Sequence, residues 1–195
     1  GAMSTKDKLG FVSSLRTGIG TNKIITLAKD VDGFYGAFNA GYDEYKFLLT
    51  EIAAGRMKEG DISLNPSQSG AIGSLARMFD PGSVVRNEEY ERQVLGQAAP
   101  AIISGWLQKL RAGGTGLTPN DLSAMKRVAD GLHTAWEEKL SNEMQPFILD
   151  IQDWNANYPD AQIRYEQVIP VDRVHLPQQQ VQTWHHPIHL QLQNS

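Results

Sequence analysis

Apolar side chains recur along this chain at helical spacing. The clearest run is Ile24, Ala28, Val31, Tyr35, Phe38, Tyr42, Tyr45, Leu49 and Ile52, stepping by four and three residues in turn. A stripe held at that mean step predicts a helix of about 30 residues with one apolar seam, the pattern that pairs rods. Gly33, Gly36 and Gly41 lie inside it, and each weakens a helix by about 1 kcal/mol relative to Ala. Something must therefore pack on this helix, with the glycines marking either a close approach or a break in two. Gly55 or Gly60 is the expected stop. Residues 4–21, polar and small, read as a short helix or a loose lead-in.

Three further helices carry readable starts. Asn65 is a cap with Pro66 in the first helical position, where a missing N–H costs nothing; Ile72, Leu75 and Phe79 form the stripe, and Asp80-Pro81-Gly82 ends it. The next opens at Asn87, with Glu88 and Glu89 near the positive end of the helix dipole. Its stripe is Leu95, Ala99, Ile102, Trp106 and Leu110, with a kink expected at Pro100. The last opens at Thr118, with Pro119 first and Asp121 third, close to a capping box. Leu122, Met125, Ala129, Leu132, Trp136 and Leu140 form its seam, and Lys126, Arg127, Asp130, Glu137 and Glu138 read as its solvent face. Pro146 marks a kink or an end, and Phe147, Ile148, Ile151 and Trp154 carry the apolar face to about Asn155.

Composition then changes. Asn157 to Asp160 signals a turn, and residues 161–173 read as extended. From Val174 to Ser195 there is no Asp, Glu, Lys or Arg, while six Gln and four of the five His fall there. Ile188, Leu190 and Leu192 alternate with polar residues as in a short strand. Such a segment builds no core alone; it is either disordered or laid on another surface.

Across the chain, 18 Lys and Arg against 22 Asp and Glu leave a net charge of −4, which argues against nucleic acid as the main ligand. The absence of cysteine removes disulfides, thiolate metal sites and Cys nucleophiles. Gly1-Ala2-Met3 reads as a cleavage scar. The most apolar window, Ala98 to Leu107, is about half the length that spans a bilayer, so a soluble chain is expected.

The segment Ser74 to Glu91, with Asp80-Pro81-Gly82-Ser83-Val84-Val85-Arg86 at its centre, and the turn Gly113-Gly114-Thr115-Gly116-Leu117-Thr118-Pro119 before a long amphipathic helix, resemble a helical module of tailed-bacteriophage virion proteins. Those proteins are associated with genome ejection or cell-wall penetration. The likeness covers residues 24–140 by order of elements and only these two stretches by motif. It implies a structural or scaffold segment and brings no catalytic residue, and the chain is either a fragment of a larger virion protein or a small relative. Independently of the family, Pro81 and Gly82 force a stop, Val84 and Val85 cover the gap between helices, and Arg86 can reach the last carbonyls of one helix or pair with Glu88 or Glu89.

Other constellations read as structural. His185, His186 and His189 resemble a metal cluster, but Pro187 and the extended flanks spread them too far for easy chelation, and His175 joins only if the tail folds back. His133 sits beside the Leu132 seam position and reads as a hydrogen-bonded boundary residue, without a motif partner that would make it a general base. Glu137, Glu138, Glu143, Asp150 and Asp153 would be the acids of a wall-degrading enzyme, yet nothing selects a pair across a cleft. Gly18 to Lys23 lacks phosphate-loop spacing. Gly113 to Gly116 lacks the Lys and precedes what reads as a surface helix. Tyr35, Phe38, Tyr42 and Tyr45 read as helix contact or an oligomer interface rather than a platform for sugar or bases.

The expectation is a mostly α-helical fold: four amphipathic, partly kinked helices over residues 4–155, with an extended arm over 156–195. The expected role is a non-enzymatic structural or assembly component of a phage particle, in the virion and soluble in the host before assembly. It needs no cofactor or metal, and its partners are other virion proteins or copies of itself. Trp184, Ile188, Leu190 and Leu192 are the expected contacts of the arm. A cell-wall-degrading or wall-binding fragment is the alternative, and a regulatory protein binding a host factor the next.

Overall fold

The computed structural model describes residues 3–58, 64–78, 99–114 and 116–169. Helix holds 85% of these residues, and no strand occurs among them. In chain order the helices are α1 (Thr5–Thr21), α2 (Lys23–Ala53), α3 (Pro66–Met78), α4 (Ala99–Arg111), α5 (Pro119–Asn157) and a short α6 (Tyr165–Val168). A single 3-10 turn, Pro159–Ala161, lies between the last two. No described helix is long and apolar enough to cross a membrane.

The long helix α5 forms the spine. It starts as its sequence predicts: the Thr118 hydroxyl accepts from the Asp121 N–H, and the Asp121 carboxylate accepts from the Thr118 N–H. It runs unbroken through the exposed Pro146 to Asn157. Far from being a surface helix, it buries ten side chains, Leu122, Trp136 and Ile151 among them. Along it, α1 and α2 lie antiparallel in one constant register. As the chain advances through Phe11, Gly18, Asn22, Asp32, Tyr35 and Asn39, the facing residue retreats in equal steps through Trp154, Phe147, Glu143, His133, Asp130 and Lys126.

The lead-in is a full helix, capped by the Ser4 hydroxyl, and it buries Val12, Leu15 and Ile19. Only Asn22 separates α1 from α2. Its backbone is extended, and its side chain accepts from the N–H groups of Ile24 and Ile25. The α2 seam buries Ala28, Val31, Phe38 and Tyr45, with Ile25 in place of the half-buried Ile24. Tyr35, Tyr42, Leu49 and Ile52 pack at its margin. The helix does not break at its glycines. Gly41 is instead a point of close approach: a Cβ there would stand 2.8 Å from Ala71 Cβ and 3.1 Å from the Ile72 N atom of α3. Gly33 and Gly36 face open space.

The α3 helix begins at the expected cap, with Asn65 accepting from the Gln68 N–H and Gln68 Oε1 accepting in return from the Asn65 N–H. It lies antiparallel to α2, Arg77 sitting 5.5 Å over the Phe34 ring. The predicted Phe79 stop, the helix start at Asn87, the Asp80–Arg86 motif and the turns that bracket it lie outside the described residues; Pro100, where a kink is expected, is the second residue of α4 as described. The Gly-rich turn is described except at Thr115. Gly113, Gly114 and Gly116 all take positive φ, and Leu64 seats against Gly114 while its N–H donates to the Gly113 carbonyl at 2.9 Å. Asp121 ties the two sides of this corner. Its carboxylate also accepts from Trp106 Nε1 at 3.2 Å and Lys109 Nζ at 2.8 Å, both on α4. Burial works against the Asp121 charge, but these donors outweigh it and hold the carboxyl below its ordinary value.

The chain after α5 departs from expectation. Residues 161–169 are extended only in part: Arg164 and Ile169 keep extended backbone, but a 3-10 turn ending at Ala161 and the helical turn Tyr165–Val168 fold the segment back and bury Ile163, Val168 and Ile169. The cause is hydrogen bonding from α5, which no periodicity announces. Trp154 Nε1 donates to the Ala161 carbonyl, and Asn155 grips both the N–H and the carbonyl of Ile163 at 2.7 and 2.9 Å. Arg16 of α1 donates to the Gln167 carbonyl. The rest of the expected arm, with Trp184, Ile188, Leu190 and Leu192, lies outside the described residues.

Gly41→Ala should lower unfolding free energy by about 1–3 kcal/mol, because the clash falls on backbone and a core methyl and exceeds the gain in helix propensity. Gly36→Ala should instead raise it by up to about 1 kcal/mol. Urea titrations of the two variants check the opposite signs. The depressed Asp121 carboxyl contributes stability that is fully present above its unfolded value and lost as pH falls through the folded one. Asp121→Asn should therefore destabilise at neutral pH, with its deficit shrinking as pH falls below the ordinary value of 3.8, read from denaturation midpoints against pH.

Candidate functional site

The densest cluster of chemically versatile side chains lies where α2 crosses α5. Tyr35 and His133 stack face to face, with centroids 4.0 Å apart and planes within 9°. The Tyr35 hydroxyl donates to Asp130 Oδ1 at 2.7 Å, and the His133 Nε2 lies 2.8 Å from Asp32 Oδ1. Each helix thus supplies an acid to the ring of the other. Lys126 closes one side, donating to Asn39 Oδ1 and Asp130 Oδ1, both at 2.7 Å, beneath the Tyr35 and Tyr42 rings. Glu137 Oε1 stands 3.8 Å from His133 Nδ1 on the other side.

This reciprocity has a sequence origin. Asp32-Gly33-Phe34-Tyr35-Gly36-Ala37-Phe38 on α2 repeats as Asp130-Gly131-Leu132-His133-Thr134-Ala135-Trp136 on α5. In both copies the acid comes first, the clasping ring three residues later, and a fully buried aromatic three after that, Phe38 or Trp136. Acid and ring three apart share one helix face. Two such faces set antiparallel match each acid to the opposite ring around a local two-fold axis. Taken one stretch at a time, Tyr35 and His133 look unconnected; the shared order of the two heptapeptides is the signal that joins them.

Electrostatics fix the protonation of two members. Burial, then the bond to Asp130, pushes the Tyr35 phenol above its ordinary value, so it remains a donor. For Lys126, burial opposes the charge, but Asp130, Tyr35 and Asp43 outweigh it and raise its value. The faces of Lys126 and Asp130 read as solvent in the sequence are half-buried, because α2 covers that side of the spine.

Chemically the arrangement is a clasp. A His–carboxylate pair is the orienting part of a general-base unit, but the other nitrogen must then face a nucleophile. Here the remaining nitrogen faces Glu137 and one ring face is covered by Tyr35. His133 is the hydrogen-bonded boundary residue its position suggested. Among the five acids weighed for wall hydrolysis, Glu137 faces His133 and Glu143 accepts from Asn22, whereas Glu138, Asp150 and Asp153 are exposed. Among the described residues no group of three or more His, Cys, Asp or Glu is placed to hold a metal. Gly18 to Lys23 is helix end and cap rather than a phosphate loop, with Gly18 against the Phe147 ring. His175, His185, His186 and His189 lie outside the described residues.

Comparison with family models, with curated proteins and with solved structures gives no match to this chain.

If the two heptapeptides are equivalent half-clasps, exchanging their rings should preserve the pairing. Tyr35→His and His133→Tyr should each destabilise, while the double variant recovers. A coupling energy of at least about 0.5 kcal/mol in a double-mutant cycle is expected; strictly additive losses would deny the equivalence.

Proposed function

We propose that this protein is a non-enzymatic structural or assembly component of a bacteriophage particle. In this reading a four-rod helical bundle carries a C-terminal arm, and Trp184, Ile188, Leu190 and Leu192 dock the arm on another virion protein or a second copy. The observation that carries the non-enzymatic part is the clasp: the versatile side chains between α2 and α5 are bound to one another across the helix pair. Pairs of this kind fix which rods meet, and in which register, at little net gain in stability. The phage assignment draws on the resemblance of the Asp80–Arg86 and Gly113–Pro119 segments. For the second of these, the positive-φ glycines and the Asp121 corner give the motif a purely structural use. The arm draws on composition: from Val174 to Ser195 it carries no Asp, Glu, Lys or Arg and is rich in Gln.

Ending the chain after Arg173 should leave the helical circular dichroism and the melting cooperativity of the bundle in place. It should also lower the mass seen by light scattering, or abolish capture of tail and capsid proteins from a phage lysate. Unchanged mass and unchanged capture would overturn the docking role. Clearing of purified peptidoglycan that is lost on Glu137→Gln or Glu143→Gln would overturn the non-enzymatic reading.

A further inference from the structure

Residues 161–169 lie against α1 and α5 in the manner of a bound peptide. Arg164 has extended backbone, and the residue before it, Ile163, has both main-chain groups taken by one side-chain amide. Its N–H donates to Asn155 Oδ1 at 2.7 Å, and its carbonyl accepts from Asn155 Nδ2 at 2.9 Å. Trp154 Nε1 donates to the Ala161 carbonyl at 2.8 Å, and Arg16 Nε donates to the Gln167 carbonyl at 2.8 Å. Each of these side chains reads main chain, which every peptide carries. The anchors are apolar: Ile163, Val168 and Ile169 are buried, while Arg164 and Glu166 are exposed. Main-chain bonds for affinity and pockets for spaced side chains are how grooves recognise extended segments.

The reading side chains are held independently of the segment they read. The Trp154 ring stacks on Phe11 of α1 at 4.3 Å and meets the Tyr158 ring at 4.7 Å. Trp154 and Asn155 sit within α5, and Arg16 sits within α1. Such preorganisation lowers the cost of taking a ligand. The segment, by contrast, does little to hold itself. Its one α-helical turn, Tyr165–Val168, has four residues and would not persist alone. It is joined to α5 only through Tyr158 and the 3-10 turn Pro159–Ala161.

We propose that the α1–α5 groove is a peptide-binding site, filled here in cis by the chain's own residues 161–169. Its ligand in trans is a segment of a partner protein with one apolar residue followed, five and six positions on, by two more, the pattern of Ile163, Val168 and Ile169. The cis segment acts as a plug. Its short link gives it an effective concentration on the order of millimolar, so a partner's segment enters only by outmatching it. The site is separate from the C-terminal arm and does not depend on the phage assignment.

The test uses a fluorescent synthetic peptide of residues 160–169 and full-length chains. Ile163→Asp with Val168→Asp releases the plug, because seating it would then bury two carboxylates. By anisotropy this double variant should bind the peptide at least about tenfold more tightly than the wild type. Adding Asn155→Ala should weaken that binding about tenfold, for the loss of two main-chain bonds. No binding by a double variant that keeps its helical circular dichroism, or binding indifferent to Asn155→Ala, would overturn the proposal. Hydrogen exchange in the wild type reads the plug without any variant. The Ile163 and Ile169 amides should exchange at least about 100-fold faster than those of the α5 core, through an opening insensitive to denaturant. Exchange in step with the core would mean a plug that never leaves, and would overturn the proposal as well. A wild-type mass in light scattering that Ile163→Asp lowers would assign the groove to a second copy instead.

Discussion

One antiparallel register governs the molecule. The α1–α2 run meets α5 in matched steps from Phe11 opposite Trp154 to Asn39 opposite Lys126. Equal steps on two helices require equal rise and nearly parallel axes, so neither rod can slide or splay without every pair failing together. The clasp makes the register costly to miss. A slip of three residues in one direction would bring Asp32 opposite Asp130, like charges in a partly buried seam, and would part both acids from their rings. Pro146 does not disturb the spine because it lies on the solvent side, where water can satisfy the carbonyl it leaves unpaired.

Capping explains why so much of the helix layout is legible from local sequence. Thr118-Pro119-Asn120-Asp121 and Asn65-Pro66-Ser67-Gln68 are complete within four residues, and both form the reciprocal bonds their types allow. The 3-4 stripe of α2 is likewise local. Legibility ends where the partner lies far along the chain. Nothing near Gly41 indicates that Ala71 and Ile72 press on it rather than on Gly33 or Gly36, since that depends on where α3 lands. The solvent face expected of α5 holds at Arg127 and Glu138, which are exposed, but not at Lys126 and Asp130, which look like an exposed ion pair until α2 is placed over them. The helical turn at Tyr165–Val168 is not legible because Asn155 and Trp154 hold the backbone before it from a different element, and side-chain bonds of that kind leave no periodic trace.

The candidate site shows a third kind of limit. Its residues are ordinary one at a time, and only the repeated Asp-Gly-apolar-ring-x-Ala-aromatic order reveals them as a set. The two copies differ where their surroundings differ. Phe34 meets Arg77 of α3, whereas its counterpart Leu132 is buried in the core. Phe38 and Trp136 both fill interior volume. The Trp136 Nε1 is buried with no hydrogen-bond partner among the described residues, which costs about 1–3 kcal/mol and marks a ring kept for its bulk.

The break at Asn22 belongs to the same logic. The rod from residue 5 to residue 53 meets one continuous stripe of α5. Lys126, His133, Phe147 and Trp154 are spaced by multiples of seven, as are Asn39, Asp32, Gly18 and Phe11 opposite them. The one-residue interruption with a capping side chain is passed without losing register. Asn22 acts on both sides of it, since its side-chain carbonyl oxygen restarts the helix while its amide holds Glu143. A residue that could do only one of these would leave either two frayed helix ends or two rods free to twist past each other.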